Sequence, residues 1–260
     1  MFMKKEILGV RIDDVSIDEA IKRVEHWIWN PGKHYIVTPN PEFIVAAQKD
    51  ELFRKILNNA DLAIPDGKGL KLSGKVKNTF SGTDFMGKLV ALAAEEGFVV
   101  GFLGGRGEVA KKCAECLLQK YPGLKVAFAE SGGDVDDDGN VIARSPDSIG
   151  ATWQSTTEDP SSAKGGLRMT RGVDILFVAF GHIKQEKWIR SNLRYIPVKL
   201  AMGVGGAFDY LSGTLPRAPE WMRKLGLEWL FRLVIQPWRI KRQLALLKYL
   251  LLLLKDRIIF

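Results

Sequence analysis

The stretch FVVGFLGGRGEVAKKCAECLLQKYPGLKVAFAE, residues 98–130, decides the fold class. It begins with a continuous apolar run over 98–104, continues with a helical pattern over 107–120 and ends in a second apolar run over 125–130. Two parallel strands need a crossover connection, which is usually a helix, so this order is typical of a βαβ unit.

The same alternation recurs along most of the chain. Strands are expected at 34–38, 62–64, 173–180 and 198–205, and helices at about 41–58, 84–96 and 184–193. Continuous rather than alternating apolar runs indicate strands that are covered on both faces. The sequence therefore predicts an α/β fold with a mainly parallel sheet between two layers of helices. Ligands bind such sheets beyond the carboxyl ends of the strands.

The charge is concentrated at the C-terminus. From Arg217 onwards, ten basic residues stand against three acidic ones, so this tail carries +7 of the formal net charge of +8. Such a tail predicts an anionic partner, and its leucines suit a lipid surface better than nucleic acid. The N-terminus has no apolar stretch typical of a secretory signal, so a cytoplasmic location on the inner face of the membrane is expected.

The segment RIKRQLALLKYLLLLLKDRIIF, residues 239–260, is too short in apolar sequence to cross a bilayer. Its longest uncharged run has six residues, 249–254, whereas a spanning helix needs about 20. As a helix it would align one apolar stripe, formed by Ile240, Leu244, Leu247, Leu251, Leu254 and Ile258. Two alternatives remain open: a helix docked on its own core, or one lying on a membrane surface.

Two changes of character suggest the domain organisation. Residues 143–170 are polar, without periodicity, and predict a long surface loop or a disordered insert. Residues 214–260 are basic, aromatic and leucine-rich, and Pro237 should end a helix near Ile235. We therefore expect a catalytic core over 1–213 and a membrane-associating appendage over 214–260.

Neither the acidic run nor the cysteines predict a metal site. The aspartates of GGDVDDDGN, residues 132–140, match half of a calcium loop, but Ser145 occupies the position of its bidentate glutamate. Cys113 and Cys116 have no second pair to complete a zinc site. They are expected to be small apolar residues on a helix face, with a redox pair as the alternative.

Polar residues follow several of the expected strands. Thr38 ends the strand expected over 34–38 and Asn40 follows it closely, and Asn40 suits either a helix N-cap or a ligand. Asp66 lies in a Pro-Asp-Gly sequence, which forms turns but also places a carboxylate at a strand end.

Two further stretches open helices. Gly104 and Gly105 belong to GFLGGRG, which lacks the dinucleotide-binding spacing but suits a diphosphate at a helix N-terminus. Lys184, Gln185 and Glu186 begin a helix and indicate either a reader of a polar ligand or a solvated helix start.

Five ordered blocks give the chain a resemblance to a known family. They are TPNPEF, IPDGKGL, GFLGG, KQEKWI and MGVGGAFDYLSGTLPRAPEWMRKLGLEWLFRL. Together they resemble the WecG/TagA/CpsF family, glycosyltransferase family 26. The resemblance implies a Rossmann-like core and inverting transfer of a sugar from a UDP-sugar, N-acetylmannosamine in two branches, to N-acetylglucosamine on undecaprenyl diphosphate. It also implies no metal or other cofactor, and an appendage that meets the membrane and helps to close the site.

The resemblance also implies roles for single residues. Asp66 would be the general base for the acceptor hydroxyl, with Thr38 and Asn40 beside it, and Gln185 would bind the donor. The remaining expected substrate-binding residues are Gly104, Gly105, Lys184, Glu186, Arg232, Arg239 and Arg242, of which the arginines would reach the diphosphates. His182 and Ile183 replace a small residue and a proline that the family commonly has there.

Several alternatives stay open from the sequence. Another donor, such as UDP-glucose or UDP-N-acetylmannosaminuronic acid, would fit the same family. A nucleotide-dependent oxidoreductase could be built on the glycine-rich loop and the cysteines, and a third alternative is a non-catalytic lipid-surface module. The expected partners are the UDP-sugar, the polyprenyl-diphosphate-linked acceptor and the membrane, without nucleic acid, and self-association into a homo-oligomer is allowed.

Overall fold

The computed structural model describes residues 4–143 and 172–259 and shows a mixed α/β protein. The strands are β1 (Lys4–Ile7), β2 (Val10–Asp13), β3 (His34–Val37), β4 (Leu62–Ala63), β5 (Val99–Gly104), β6 (Lys125–Glu130), β7 (Asp134–Val135), β8 (Val141–Ala143), β9 (Val173–Ala179) and β10 (Val198–Gly203). The expected insert over 143–170 lies, from residue 144, outside the described residues.

Helices alternate with strands in the middle of the chain and follow one another at its C-terminal end. They are α1 (Ile17–Trp29), α2 (Pro41–Ala47), α3 (Glu51–Asn58), α4 (Gly82–Glu96), α5 (Val109–Lys120), α6 (Lys184–Asn192), α7 (Ala207–Leu211), α8 (Glu220–Leu225), α9 (Glu228–Ile235) and α10 (Ile240–Ile259). Two 3₁₀ turns, Lys68–Ser73 and Pro237–Arg239, complete the described part.

The main sheet has six parallel strands in the order β4-β3-β10-β9-β5-β6. The central strands are buried along nearly their whole length, as in β9, where residues 175–178 have almost no exposed surface. The parallel pairings confirm the predicted sheet, and the burial of its central strands is typical of a parallel sheet that helices cover on both faces. Two small antiparallel pairs, β1-β2 and β7-β8, lie outside this sheet.

The helix expected over 41–58 is two helices. The chain leaves the helical path after α2, and Asp50 caps α3 by accepting a hydrogen bond from the N–H of Phe53 at 2.8 Å. The break turns the second helix so that Phe43 and Phe53 pack edge to face, with ring centroids 5.3 Å apart. The prediction of one helix was wrong because an N-cap at Asp50 outweighs the continuing apolar pattern.

The chain divides into two compact units. The first contains Met1–Ala20, Val37–Gly82 and Pro216–Phe260, and the second contains Ile21–Ile36 and Thr83–Leu215. The C-terminal helices therefore group with the chain segments around β4 and α2. The expected division into a core over 1–213 and an appendage over 214–260 stays a prediction.

In the first unit, α9 ends at Ile235 before Pro237, as expected, and α10 packs against α2 and the 3₁₀ turn Lys68–Ser73. Tyr249 and Leu253 form its buried inner face. The outer face carries the leucine stripe, and Leu251, for example, is 66% exposed. The helix is thus docked on its own unit and also presents the stripe to the outside. Across the described residues, every helix is too short or too polar to cross a membrane.

The close approach of two strand ends at Gly104 explains why β5 ends in glycine. Its φ is +103°, and a Cβ there would lie 2.7 Å from the carbonyl carbon of Ala179, so Gly104→Ala forces the two strand ends apart. Gly107 also has a positive φ, but nothing lies within 4 Å of its Cβ position. We expect Gly104→Ala to cost more than about 2 kcal/mol in urea unfolding, and Gly107→Ala about 1 kcal/mol. Equal losses would contradict the steric explanation.

Candidate functional site

Thr38, Asn40 and Asp66 come together in the first unit. The backbone N–H of Asp66 donates to the carbonyl of Pro39 at 3.0 Å, which ties the turn after β4 to the segment after β3. A Cβ on Gly82 would lie 3.4 Å from Thr38 Cγ2 and 3.8 Å from Asp66 Oδ2, so both side chains flank the same glycine. The carboxyl ends of two strands thus bring these three residues into one group.

Asp66 lies at the start of a helix. It is half-buried, and its Oδ1 accepts a hydrogen bond from the N–H of Gly82, the first residue of α4, at 3.3 Å. The free N–H groups of a helix N-terminus stabilise negative charge. This arrangement gives a carboxylate that is oriented but not sealed from solvent, which is what a proton acceptor requires.

Asn40 acts as the N-cap of α2. Its side-chain oxygen accepts from the N–H of Phe43 at 2.9 Å, and Pro41 occupies the first helical position. The capping interpretation of Asn40 is therefore confirmed. The cap uses only the side-chain oxygen, so the amide N–H groups of Asn40 can still donate to a ligand.

The three candidate arginines also belong to the first unit. Arg232 lies half-buried on α9, and Arg239 ends a 3₁₀ turn, its side chain being outside the described part. Arg242 near the start of α10 pairs with Glu42 through two hydrogen bonds, Nε to Oε1 at 2.6 Å and Nη2 to Oε2 at 2.8 Å. Nothing in the sequence singles out Glu42, because an acidic residue in the first turn of a helix ordinarily stabilises the helix N-terminus.

In the second unit, Gln185 and Glu186 form a buried pair at the start of α6. Gln185 Nε2 donates to Glu186 Oε1 at 2.7 Å, and the N–H of Gly205 donates to Gln185 Oε1 at 3.0 Å. A Cβ on Gly203 would lie 2.6 Å from Glu186 Oε1, so a larger residue at the end of β10 would displace this carboxyl group. The alternative of a solvated helix start is wrong for these two side chains, which are almost fully buried.

Burial raises the pKa of Glu186 to about 7, and the hydrogen bond from Gln185 opposes that rise. Removing a carboxylate from water disfavours its charged form, whereas a donor to that form favours it. Glu186 therefore changes charge near neutral pH, and its protonation state is coupled to the orientation of the Gln185 amide.

Lys184 has a different environment from its two neighbours. Its Nζ donates to the carbonyl of Val135 at 2.8 Å and pairs with Asp137 at 3.1 Å. The acidic run thus contacts α6, and Asp136 closes its own turn by accepting from the N–H groups of Asp138 and Asn140. These contacts give the aspartates a structural role. Within the described ranges, no group of three His, Cys, Asp or Glu residues is arranged to hold a metal.

The glycine-rich loop is explained by close packing of strand ends. The N–H of Gly105 donates to the carbonyl of Ala179 at 2.9 Å, so it is used within the fold, and α5 starts at Val109 rather than at 107. Cys113 is buried, which raises the pKa of its thiol to about 12, whereas Cys116 is exposed. The expectation of an apolar pair is thus wrong for Cys116, and the Cys113 thiolate is strongly disfavoured.

Comparison with known proteins agrees with this architecture. The family model described as "Glycosyl transferase WecG/TagA/CpsF family" matches residues 5–152 and 168–259. The interval between them falls inside the expected insert.

Curated relatives cover most of the chain. One from Bacillus subtilis (strain 168) is 32% identical over 237 residues, or 89% of this chain and 83% of the relative. One from Bacillus spizizenii is 31% identical over 85% and 79% of the two chains. One from Staphylococcus aureus (strain MRSA252) is 28% identical over 92% and 87%. All three are named N-acetylglucosaminyldiphosphoundecaprenol N-acetyl-beta-D-mannosaminyltransferase.

A parallel α/β sheet with a carboxylate at a strand end, together with these matches, defines a glycosyltransferase. The chain belongs to the WecG/TagA/CpsF family, as its five sequence blocks indicated. Membership of this family favours sugar transfer over the oxidoreductase alternative.

The buried carboxyl of Glu186 should make stability depend on pH. Its pKa is about 7 in the folded protein and near 4.5 without burial, so the folded state binds the proton more tightly. The contribution of Glu186 to the free energy of unfolding is therefore fully present below about pH 4.5. It is lost as the pH rises through 7, by up to about 3 kcal/mol. Glu186→Gln keeps an acceptor for Gln185 and should abolish this part of the slope in urea unfolding from pH 5 to 8. Glu51→Gln, on the exposed face of α3, should leave the slope unchanged, and an unchanged slope in Glu186→Gln would contradict the assignment.

Proposed function

We propose that this protein transfers N-acetylmannosamine from a UDP-sugar to N-acetylglucosamine linked by diphosphate to undecaprenol. The observation that carries the proposal is the activity for which relatives that are 28–32% identical over most of both chains are named. The grouping of Asp66 with Thr38 and Asn40 at two strand ends supports it. A different donor, UDP-glucose or UDP-N-acetylmannosaminuronic acid, is the second candidate within the same family.

Asp66 is proposed as the base of an inverting reaction. One activated hydroxyl of the acceptor attacks the anomeric carbon while UDP leaves on the opposite face, so one carboxylate suffices for proton removal. Asp66 is half-buried and held at the N-terminus of α4, where it is oriented and still accessible. Thr38 and Asn40 beside it would position the acceptor sugar.

The leaving diphosphate needs positive charge. Arg232 and Arg239 are proposed to supply it, because a guanidinium forms two parallel hydrogen bonds with phosphate oxygens. Gln185 is proposed to bind the donor, its amide being fixed by Glu186 and Gly205. Lys184, Gly104 and Gly105 are proposed as further substrate-binding residues, and their hydrogen bonds or close packing also serve the fold.

The leucine stripe of α10 is proposed to hold the protein on the inner face of the cell membrane. Exposed large apolar side chains on one helix side, flanked by lysines, match an interfacial helix. Trp221, Val234 and Trp238 on the neighbouring segments are exposed as well, at 59% or more of their surface. Exposed apolar side chains in such number are expected at an interaction site.

Asp66→Asn should remove the proton acceptor while preserving the hydrogen bond from Gly82. We expect turnover of a lipid-diphosphate-linked N-acetylglucosamine to fall by about 10²–10⁴-fold. The assay uses a panel of UDP-sugars with EDTA present. The matched control is Asp50→Asn, which removes the same charge from an N-cap that asparagine serves equally well. Full activity of Asp66→Asn, or loss of wild-type transfer in EDTA, would overturn the proposed mechanism.

Replacement of the exposed stripe should weaken membrane binding. Burying a leucine side chain contributes about 1.5–3 kcal/mol, so Leu247→Ser with Leu251→Ser should lower binding to phosphatidylglycerol vesicles by more than about tenfold. Leu52→Ser, equally exposed on α3, is the control and should bind as the wild type does. Wild-type binding by the double variant in a sedimentation assay would assign the attraction to charge alone.

A further inference from the structure

The pair of Glu42 and Arg242 connects two elements that are 200 residues apart in sequence. Glu42 lies in the first turn of α2, two residues after Asn40, and Arg242 lies in the first turn of α10. Two parallel hydrogen bonds, of 2.6 Å and 2.8 Å, join the guanidinium to the carboxylate. Such bidentate charge-assisted bonds are shorter and stronger than single ones, and they fix orientation as well as distance.

The surroundings of the pair adjoin the candidate catalytic group. A Cβ on Gly69 would lie 2.8 Å from Pro41 Cγ and 3.6 Å from Leu246 Cδ1. Gly69 follows Asp66 by three residues, and Pro41 follows Asn40 directly. The first turns of α10 therefore touch both chain segments that carry the proposed acceptor-binding and proton-accepting residues.

The remaining length of α10 is anchored separately. Tyr249 and Leu253 are buried within the first unit. Farther along, Asp256 pairs with Lys75 at 3.6 Å. Loss of the Glu42 pair should therefore release only the first turns of the helix and leave its second half in place. Those first turns carry Arg242, which is bonded to Glu42 two residues after Asn40.

The charge around Arg242 argues against a role as a direct ligand of a diphosphate. Its guanidinium already faces a carboxylate, which lowers the positive potential that remains for a phosphate. Two of its five N–H groups are occupied by Glu42. A direct ligand would have to share or surrender this pair.

We infer that Glu42 is a positioning residue for sugar transfer: by gripping Arg242, it holds the start of α10 against the segments that carry Asn40 and Asp66. The inference rests on the proposed function and assigns Arg242 to the same task. Glu42 acts through Arg242 and does not touch the substrate. The sign of each charge is then interchangeable, provided that the pair remains complementary.

A charge exchange separates positioning from direct binding. Glu42→Arg and Arg242→Glu should each lower kcat on the lipid-linked acceptor by at least about tenfold, with a smaller change in KM. The double exchange Glu42→Arg/Arg242→Glu should return to within about threefold of the wild type, because an inverted pair still holds the helix. A diphosphate ligand cannot be rescued in this way, since the exchange leaves glutamate at position 242.

The same variants have a readout that needs no substrate. Amide hydrogen exchange over residues 240–246 should speed up in Glu42→Gln and in Arg242→Gln, and return to wild-type protection in the double exchange. The matched control inverts the exposed pair of Glu51 and Lys55 on α3, joined at 2.9 Å in the same unit. It should leave both transfer and exchange unchanged.

The possible outcomes distinguish a failure of the positioning role from a failure of the proposed function. An active wild type with a double exchange as poor as Arg242→Glu alone, or unchanged protection in Glu42→Gln, would overturn the positioning role. A wild type that transfers no sugar from any donor would instead refute the proposed function, while the exchange data would still show whether the pair holds α10. Thermal unfolding of each variant separates loss of the fold from loss of position.

Discussion

Strand β9 is the element on which the second unit depends, because it pairs with β5 on one side and with β10 on the other. Its burial fixes where the neighbouring strands end. The carbonyl of Ala179 accepts from Gly105, and that of Val178 accepts from Val204, so both following loops are bonded to the same strand end. Gln185 is then held by the loop after β10 through Gly205. The position of the candidate donor-binding amide of Gln185 thus depends mainly on the backbone hydrogen bonds of these strand ends.

The first unit is organised by a helix with two apolar sides. Burial of Tyr249 and Leu253 stabilises the docking of α10, whereas the leucines on the other side of the helix remain exposed. A helix docked on a domain usually has one apolar face, so this second, exposed apolar face is a candidate surface for a partner. The basic residues that accompany it give an anionic lipid surface the best match among partners. The same helix packs against α2 and the 3₁₀ turn Lys68–Ser73, which follow Asn40 and Asp66, so the proposed membrane helix and the candidate site are neighbours.

Local patterns predict the parts of this structure that local forces determine. The buried strands, the end of α9 before Pro237 and the cap at Asn40 follow from apolar runs, proline and side-chain capping. The β1-β2 hairpin escaped because its strands have four residues each and its turn places Leu8 at a positive φ, without a strong turn sequence. Glu42 could not be assigned, because its partner is 200 residues away and only the tertiary fold brings them together. Burial of Glu186 was equally hidden, since a charged residue at a helix start normally indicates solvent.

Two carboxylates illustrate how environment divides the work between the units. Glu186 is almost fully buried, and its pKa is raised to about 7 mainly by that burial. A side chain enclosed in this way and bonded to Gln185 is suited to fixing an amide. Asp66 is half-buried and accepts the N–H that opens α4, where the helix N-terminus favours its negative charge. A base must both hold its charge and reach a substrate hydroxyl. By that criterion Asp66 is the better candidate for the base, and Glu186 is suited to orienting the Gln185 amide.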